Sequence, residues 1–457
     1  MVGDVPGPGC RRRCAGLRSL RGPSRPTRRG PDLPHGGRCR RRTRHPPRPD
    51  SDDDRRVTPL PTEPVPAVPR RPRRPAPGRR PRASRPAQQR RRWTDGWADD
   101  RDGGGGGTVR IAVVGPSRLP IAPPFGGGLE VFVHHLVAGL RRRGLTVDLF
   151  AARGSIGHQA ALEFPGIDWT GFEDLARDDA YPPGADETET ESYVRVRRHL
   201  DSSDYDVIHN NSSHPVMLHP DPMGSPPMIT TLHVPPQEPM QKAIDAAGSA
   251  AGRFTAVSRF TAAQWNLPTS PQVVHNGVDT RLWTPGPGGQ GAVWFGRLTR
   301  EKAPHLAIET CRRLGLPLTL IGRNADPAYF HSQIRPHLGS DVRWMGSLSP
   351  REIVRQVGLA DVALVTPAWD EPFGLVSIEA MACGTPVAAI ARGGVAEVLE
   401  DVPDHLAAPG CPDDLVRAAV AALRQPRAEA RALATSRFDL DIMLDRYLHH
   451  FLGVLTP

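Results

Sequence analysis

The 457-residue sequence lacks any apolar run approaching the roughly 18 to 20 residues that a helix needs to cross a bilayer. Its six cysteines form no recognisable framework. Cys10 and Cys14 have a metal-like spacing, but no second Cys/His pair at zinc spacing accompanies them. The other four cysteines stand singly: Cys39, Cys311, Cys383 and Cys411. No apolar segment follows the arginines at Arg11, which excludes a twin-arginine signal. We therefore expect a cytoplasmic protein with free thiols.

Lysine is absent from residues 1–108, which hold 28 arginines against 11 acidic residues, whereas the remainder of the chain has a net charge of −7. This Pro-, Arg- and Gly-rich segment has almost no periodic apolar residues, so we expect a disordered tail. No aromatic residue stands among its arginines before Trp93, so specific nucleic-acid binding is not expected. The alternative is an upstream extension that the native protein lacks, since this bias is typical of GC-rich codons.

From Val109 onward, short apolar strands alternate with helical or loop segments, the pattern of a parallel sheet covered on both faces. The first strand leads through a glycine loop into an amphipathic helix that ends at Gly144. A Pro/Gly-rich linker at 284–290 precedes a second strand–loop–helix series. We interpret the acidic run 178–191 as a surface loop. We interpret Trp344 as core packing, with a platform for a nucleotide base as the alternative.

Chemistry-bearing residues are most concentrated in the segment 369–394. Glu371 closes an acidic loop, and Glu379 follows eight residues later in a predicted short helix. The first turn of that helix would present backbone amides to a phosphate: those of Gly374, Leu375 and Val376. Carboxylates on hydroxyls and amides on phosphates suit a nucleotide sugar.

The motif E-P-F-G-L-x-x-x-E-A-M-A-x-G-x-P-V, which begins at Glu371, resembles the E-x7-E signature of the retaining, nucleotide-sugar-dependent glycosyltransferases of family 4. The resemblance covers roughly residues 109–450 and implies the α/β fold called GT-B, two facing Rossmann-like domains with a cleft between them. The implied organisation is a tail, an acceptor domain, a linker, a donor domain and a helix that crosses back to the first domain: 1–108, 109–281, 282–290, 291–435 and 436–457.

In the donor domain, the resemblance implies a role for each of four charged residues. Arg297 and Lys302 stand in G-R-L-x-x-E-K, the family's phosphate-binding signature, where an arginine fork and a lysine point charge suit a diphosphate. Glu371 would contact hydroxyls of the donor sugar, and Glu379 the ribose of the nucleotide.

In the acceptor domain, the resemblance puts the glycine loop at the cleft, where the backbone can approach the donor: Gly126, Gly127 and Gly128. His233 lies at the carboxyl end of a strand, where open α/β sheets bind ligands, and the resemblance implies that it faces the transferred sugar. His209 and Asn210, at the end of the preceding strand, are further cleft candidates. Residues 141–143 are three arginines that we interpret as solvated charge, with peripheral contact to an anionic membrane as the alternative.

The predicted function is transfer of a hexosyl group from a nucleoside diphosphate sugar, such as UDP-glucose or GDP-mannose, to an unidentified acceptor with retention of configuration. No Asp-x-Asp cluster occurs in the cleft-facing segments, so we expect neither a metal nor another cofactor. The alternatives are a nucleotide-sugar epimerase or a sugar phosphorylase on the same fold, and a non-catalytic binding protein.

Overall fold

The computed structural model describes residues 109–171, 181–218 and 225–455, and the predicted tail lies outside these residues. The strands of the described part are β1 (Arg110–Val114), β2 (Thr146–Phe150), β3 (Val207–Asn210), β4 (Met228–Leu232), β5 (Arg253–Ala256), β6 (Gln272–Val273), β7 (Ala292–Phe295), β8 (Leu318–Ile321), β9 (Val342–Trp344), β10 (Val362–Val365), β11 (Val387–Ile390) and β12 (Leu406–Ala407).

Helices connect most of these strands. They are α1 (Gly128–Arg142), α2 (Ala185–Asp201), α3 (Glu238–Ala247), α4 (Arg259–Gln264), α5 (Pro304–Leu314), α6 (Pro327–Tyr329), α7 (Pro350–Leu359), α8 (Leu375–Ala382), α9 (Val395–Val398), α10 (Pro412–Ala422), α11 (Arg427–Arg437) and α12 (Leu440–Leu455). None of the described helices is long and apolar enough to cross a membrane.

The strands form two parallel six-stranded sheets within the described residues. Their orders are β2-β1-β3-β4-β5-β6 and β12-β11-β10-β7-β8-β9. Central strands such as β3, β7 and β10 are buried along their whole length, because helices cover both faces of each sheet. The predicted α/β architecture of two parallel sheets is therefore confirmed. We call β1–β6 with α1–α4 the first lobe, and β7–β12 with α5–α11 the second lobe.

The final helix, α12, packs on the first lobe although α11 precedes it. Leu444 lies so close to α1 that a Cβ added at Gly139 would be 2.4 Å from its Cδ1 atom. Tyr447 and Phe451 are buried in the same core, and Arg143 of the adjoining turn pairs with Asp445 at 2.9 Å. The first lobe thus completes its core with residues that follow the second lobe in sequence.

The acidic run 178–191 is not a surface loop throughout, because α2 begins at Ala185. Asp186 and Glu187 lie in its first turn, where the helix dipole stabilises negative charge. Composition alone suggested a loop, whereas the acidic residues mark a helix start.

Candidate active site

Glycines end three neighbouring strands of the second lobe at the carboxyl edge of the sheet. Gly322 has φ +138°, and a Cβ there would lie 1.8 Å from the carbonyl oxygen of Gly296. Its amide donates to the carbonyl of Gly346 at 2.8 Å. Only glycine allows this approach, so backbone atoms rather than side chains form this part of the surface.

Lys302 and Glu371 come together beside this edge. The Lys302 ammonium donates to Glu371 Oε2 at 2.5 Å, and the Trp369 indole donates to the same oxygen at 3.0 Å. The ammonium also lies 5.4 Å from the centre of the Trp369 ring. Thr366, just after β10, donates to the carbonyls of Lys302 and Ala303, which fixes the backbone of the lysine. The side chains of Lys302 and Glu371 remain 25% and 16% exposed, so both can reach a ligand.

Arg297 follows β7 and pairs with Glu301, at 3.6 Å between Nη2 and Oε1. Both side chains are about one third exposed. The salt bridge to Glu371 comes from Lys302.

The first turn of α8 meets the glycine loop of the first lobe. Gly374 precedes the helix with φ +99°, and a Cβ there would lie 2.9 Å from Val395 Cγ2. A Cβ at Gly128 would lie 2.9 Å from Leu375 Cδ1, so the two lobes touch at this point. The first amides of an α-helix, here those of Leu375 and Val376, have no carbonyl of a preceding turn to donate to, whereas the Ser377 amide donates to the Gly374 carbonyl at 2.9 Å. The predicted donor-binding elements Gly126–Gly128 and Gly374–Val376 are thus neighbours.

Glu379 lies one helical turn beyond Leu375, on the same face of α8. Burial raises the pKa of its carboxyl group to about 8. In the absence of a ligand the group is therefore protonated at neutral pH.

Glu379→Gln is expected to remove a decrease in stability between pH 5 and pH 8. The folded-state pKa is about 8 and the model-compound value is 4.5, so the folded state holds more protons in this window and its stability falls as the pH rises. Urea unfolding at several pH values measures this slope in both proteins. Glu352→Gln is the control, because hydrogen bonds from Ser349 lower the pKa of Glu352 and keep it ionised throughout. Equal slopes for wild type and Glu379→Gln would contradict a protonated Glu379.

His233 directly follows β4 and packs edge-on against Phe132 of α1, with 4.7 Å between the ring centres. Its Nε2 donates to Asn211 Oδ1 at 3.1 Å. Burial lowers the pKa of His233 to about 3, so the imidazole is neutral. His233 thus contacts the helix that follows the glycine loop, and the residue keeps some exposure to solvent.

His209 and Asn210 were also predicted to face the cleft, and this prediction is wrong. Both are fully buried. His209 donates to or accepts from Thr231 at 2.8 Å and contacts the rings of Tyr447 and Phe451. The final helix covers His209, and Asn210 bonds to Thr230 and Ser212 inside the lobe, so the two residues belong to the core.

The prediction that Trp344 is a core residue is also wrong. Its side chain is 36% exposed and rests on Phe330, with 4.5 Å between ring centres. The indole donates to the carbonyl of Gly322 at 2.9 Å, which holds the ring beside the glycine-lined edge.

Sequence reasoning missed Trp369, which contacts both members of the Lys302–Glu371 pair. It also missed Glu397 of α9, whose carboxylate contacts the first lobe. Ser258 is the N-cap of α4, because its hydroxyl accepts from the amide of Thr261 at 3.0 Å. A tryptophan two residues before the first glutamate was the available signal for Trp369.

In the described residues, no group of three or more His, Cys, Asp or Glu side chains could hold a metal ion.

Comparison with known proteins identifies both lobes. The family model Glycosyltransferase Family 4 matches residues 126–282, and the model Glycosyl transferases group 1 matches residues 291–436. D-inositol 3-phosphate glycosyltransferase of Mycolicibacterium smegmatis is 27% identical over 347 residues, which cover 64% of this chain and 78% of that protein. Glycogen synthase of Mycobacterium tuberculosis is 35% identical over 138 residues, and this match spans 28% of the chain and only 33% of the synthase.

The fold is shared with solved glycosyltransferase structures. Anabaena HepE in complex with UDP-glucose superposes with a TM-score of 0.56 at 20% identity, covering 76% of this chain and all (100%) of HepE. The resemblance inferred from the motif at Glu371 is therefore confirmed, and the chain belongs to the family 4 glycosyltransferases and has the GT-B fold.

Proposed function

We propose that this glycosyltransferase moves a hexosyl group from a nucleoside diphosphate sugar to an acceptor hydroxyl with retention of configuration. One observation carries the proposal: the Lys302–Glu371 pair, the start of α8 and the glycine loop before α1 adjoin one another where the lobes meet. A cation, a carboxylate and the amides of a helix start, placed next to one another, match the parts of a sugar diphosphate.

Stabilisation of the leaving diphosphate is the main task of the site. As the glycosidic bond breaks, negative charge grows on the phosphate oxygens, and fixed cations and amides aimed at them lower the barrier. Lys302 and Arg297 are the proposed cations, and the first turn of α8 supplies the amides. We propose that these groups need no divalent ion or other cofactor.

The two glutamates of the E-x7-E motif are proposed to bind the donor sugar and the ribose of the nucleotide, respectively. Glu371 is proposed to accept hydrogen bonds from donor-sugar hydroxyls, because Lys302 and Trp369 occupy only one of its two oxygens in the contacts described above. Glu379 is proposed to accept from the ribose hydroxyls. A neutral His233 is proposed to lie against the transferred sugar, where it adds no charge next to an oxocarbenium-like centre.

Retention is supported by the poor basicity of His233. An inverting reaction needs a general base poised near the working pH to deprotonate the acceptor, and a pKa of about 3 makes this imidazole a weak base. Acceptor attack on the face of the departing diphosphate instead lets a phosphate oxygen take the proton.

The donor is proposed to be a UDP-, GDP- or ADP-sugar of the hexose class, and HepE bound to UDP-glucose supports testing UDP-glucose first. We expect one of these donors to be slowly hydrolysed without an acceptor, and proton NMR to show a first-formed sugar with the anomeric configuration of the donor. A product of opposite configuration would contradict retention. Conversion of the donor to an epimeric nucleotide sugar would replace the proposal with an epimerase.

A further inference from the structure

The loop that carries Glu371 is hydrogen-bonded to the first lobe. The carbonyl of Pro372, directly after Glu371, accepts from the Ser258 hydroxyl at 2.6 Å and from the Thr261 hydroxyl at 3.1 Å. Ser258 and Thr261 are fully buried and belong to the start of α4. The position of the Pro372 carbonyl is thus set by side chains of the other lobe.

Glu397 makes a second connection between the lobes, from α9 of the second lobe. Its Oε2 accepts from the Arg259 amide, the first of α4, at 2.8 Å. Its Oε1 accepts from His275 Nε2 at 2.5 Å. Glu397 is only 8% exposed, so a buried carboxylate of one lobe caps a helix of the other.

The two connections meet at the backbone of Glu371. The amide of Gly394, which immediately precedes α9, donates to the Glu371 carbonyl at 2.7 Å. The carbonyl of residue 371 is therefore held by the turn that leads to Glu397, and the next carbonyl is held by α4. Movement of one lobe relative to the other must strain or break the bonds that Pro372 and Glu397 make to the first lobe.

We propose that Glu397 and Ser258 are positioning residues that fix the Glu371 carboxylate in its working place only when the two lobes are docked. The catalytic role of Glu371 rests on the proposed function. The coupling between lobe docking and the position of the Glu371 loop rests on the hydrogen bonds alone. Ser258 and Glu397 hydrogen-bond to groups other than Lys302 and the Glu371 carboxylate, so both act through the backbone of the loop.

The test compares Glu397→Ala, Glu397→Gln and Ser258→Ala with Asp401→Asn in the full-length chain. Asp401 pairs with Arg437 within the second lobe and makes none of the bonds to the first lobe described above, so this control removes a nearby charge and leaves those bonds in place. We expect Glu397→Ala to lower kcat roughly 100-fold, as a loss of about 1 Å in positioning does. The kcat of Glu397→Gln, which retains an oxygen for the Arg259 amide, should recover to within about tenfold of wild type.

The Kd for UDP alone should change by less than about threefold in these variants, because the proposed phosphate-binding groups belong to the second lobe.

Hydrogen exchange of residues 369–376 supplies a readout that needs no substrate. Faster exchange in Glu397→Ala and Ser258→Ala, with no change in Asp401→Asn, is the expected result. Unchanged exchange in both variants would overturn the coupling whatever the enzyme transfers. Faster exchange in the two variants, combined with a wild-type protein that uses no nucleotide sugar, would instead refute the proposed function and leave the coupling intact. Should Glu397→Ala fail to fold, Ser258→Ala, which loses a single hydroxyl, decides the question by the same two measurements.

Discussion

Lys302→Ala is expected to lower kcat for glycosyl transfer by roughly 100- to 1000-fold, the loss typical of removing one group that stabilises developing charge. Arg297→Ala should produce a loss of similar size, because both cations are assigned to the diphosphate. Lys302 is already held by Thr366 and by Glu371, so its ammonium reaches the transition state without reordering. The measurement is the initial rate with a saturating nucleotide-sugar donor.

The control for Lys302→Ala is Lys242→Ala, which changes the only other lysine of the sequence. Lys242 forms an exposed pair with Glu238 one helical turn away, and such pairs contribute little to stability. We expect this variant to keep full activity. Near-normal turnover in Lys302→Ala or Arg297→Ala, with the melting temperature unchanged, would remove the diphosphate assignment.

Gly393→Ala is expected to abolish most transfer by displacing the backbone of Glu371. A Cβ at this position would lie 2.1 Å from the Glu371 carbonyl oxygen and 2.6 Å from its amide nitrogen, and the residue has φ +62°. Since main-chain atoms cannot rotate away as a side chain can, the loop itself must shift. The Glu371 carboxylate would then move away from the Lys302 ammonium.

Gly410→Ala separates this clash from conformational strain. Gly410 also has positive φ, +76°, but nothing lies within 4 Å of an added Cβ. We expect this control to lose about 1–2 kcal/mol of unfolding free energy and to retain kcat. Gly393→Ala should lose both, as measured by urea unfolding and by initial rates. Wild-type kcat in Gly393→Ala would show that the reaction does not depend on where Glu371 stands.

Local pattern was enough to predict the sheets and the donor loop. Strands such as Ala292–Phe295 are short apolar runs, and the spacing of Glu371 and Glu379 is contained within one loop and one helix. Ser258 was likewise predictable as a cap, because capping depends on the next three residues.

Contacts between distant segments were not predictable in this way. The second bond of Ser258, to Pro372, joins residues 114 positions apart, and Lys302 meets Glu371 across 69 positions. His209 was misassigned for the same reason, since α12 covers it from more than 200 positions away. The hydrophobic pattern of a strand does not indicate which later helix will cover the end of that strand.

The return of α12 to the first lobe also bears on how this protein is made. During synthesis the apolar face of α1 stays open while the whole second lobe is translated, because Leu444, Tyr447 and Phe451 come last. Ribosome-bound chains that already contain all six strands of the first sheet will therefore still expose the apolar surface of the first lobe that α12 covers in the finished protein. We expect chaperones to bind the chain at that stage and to dissociate once α12 has emerged and packed.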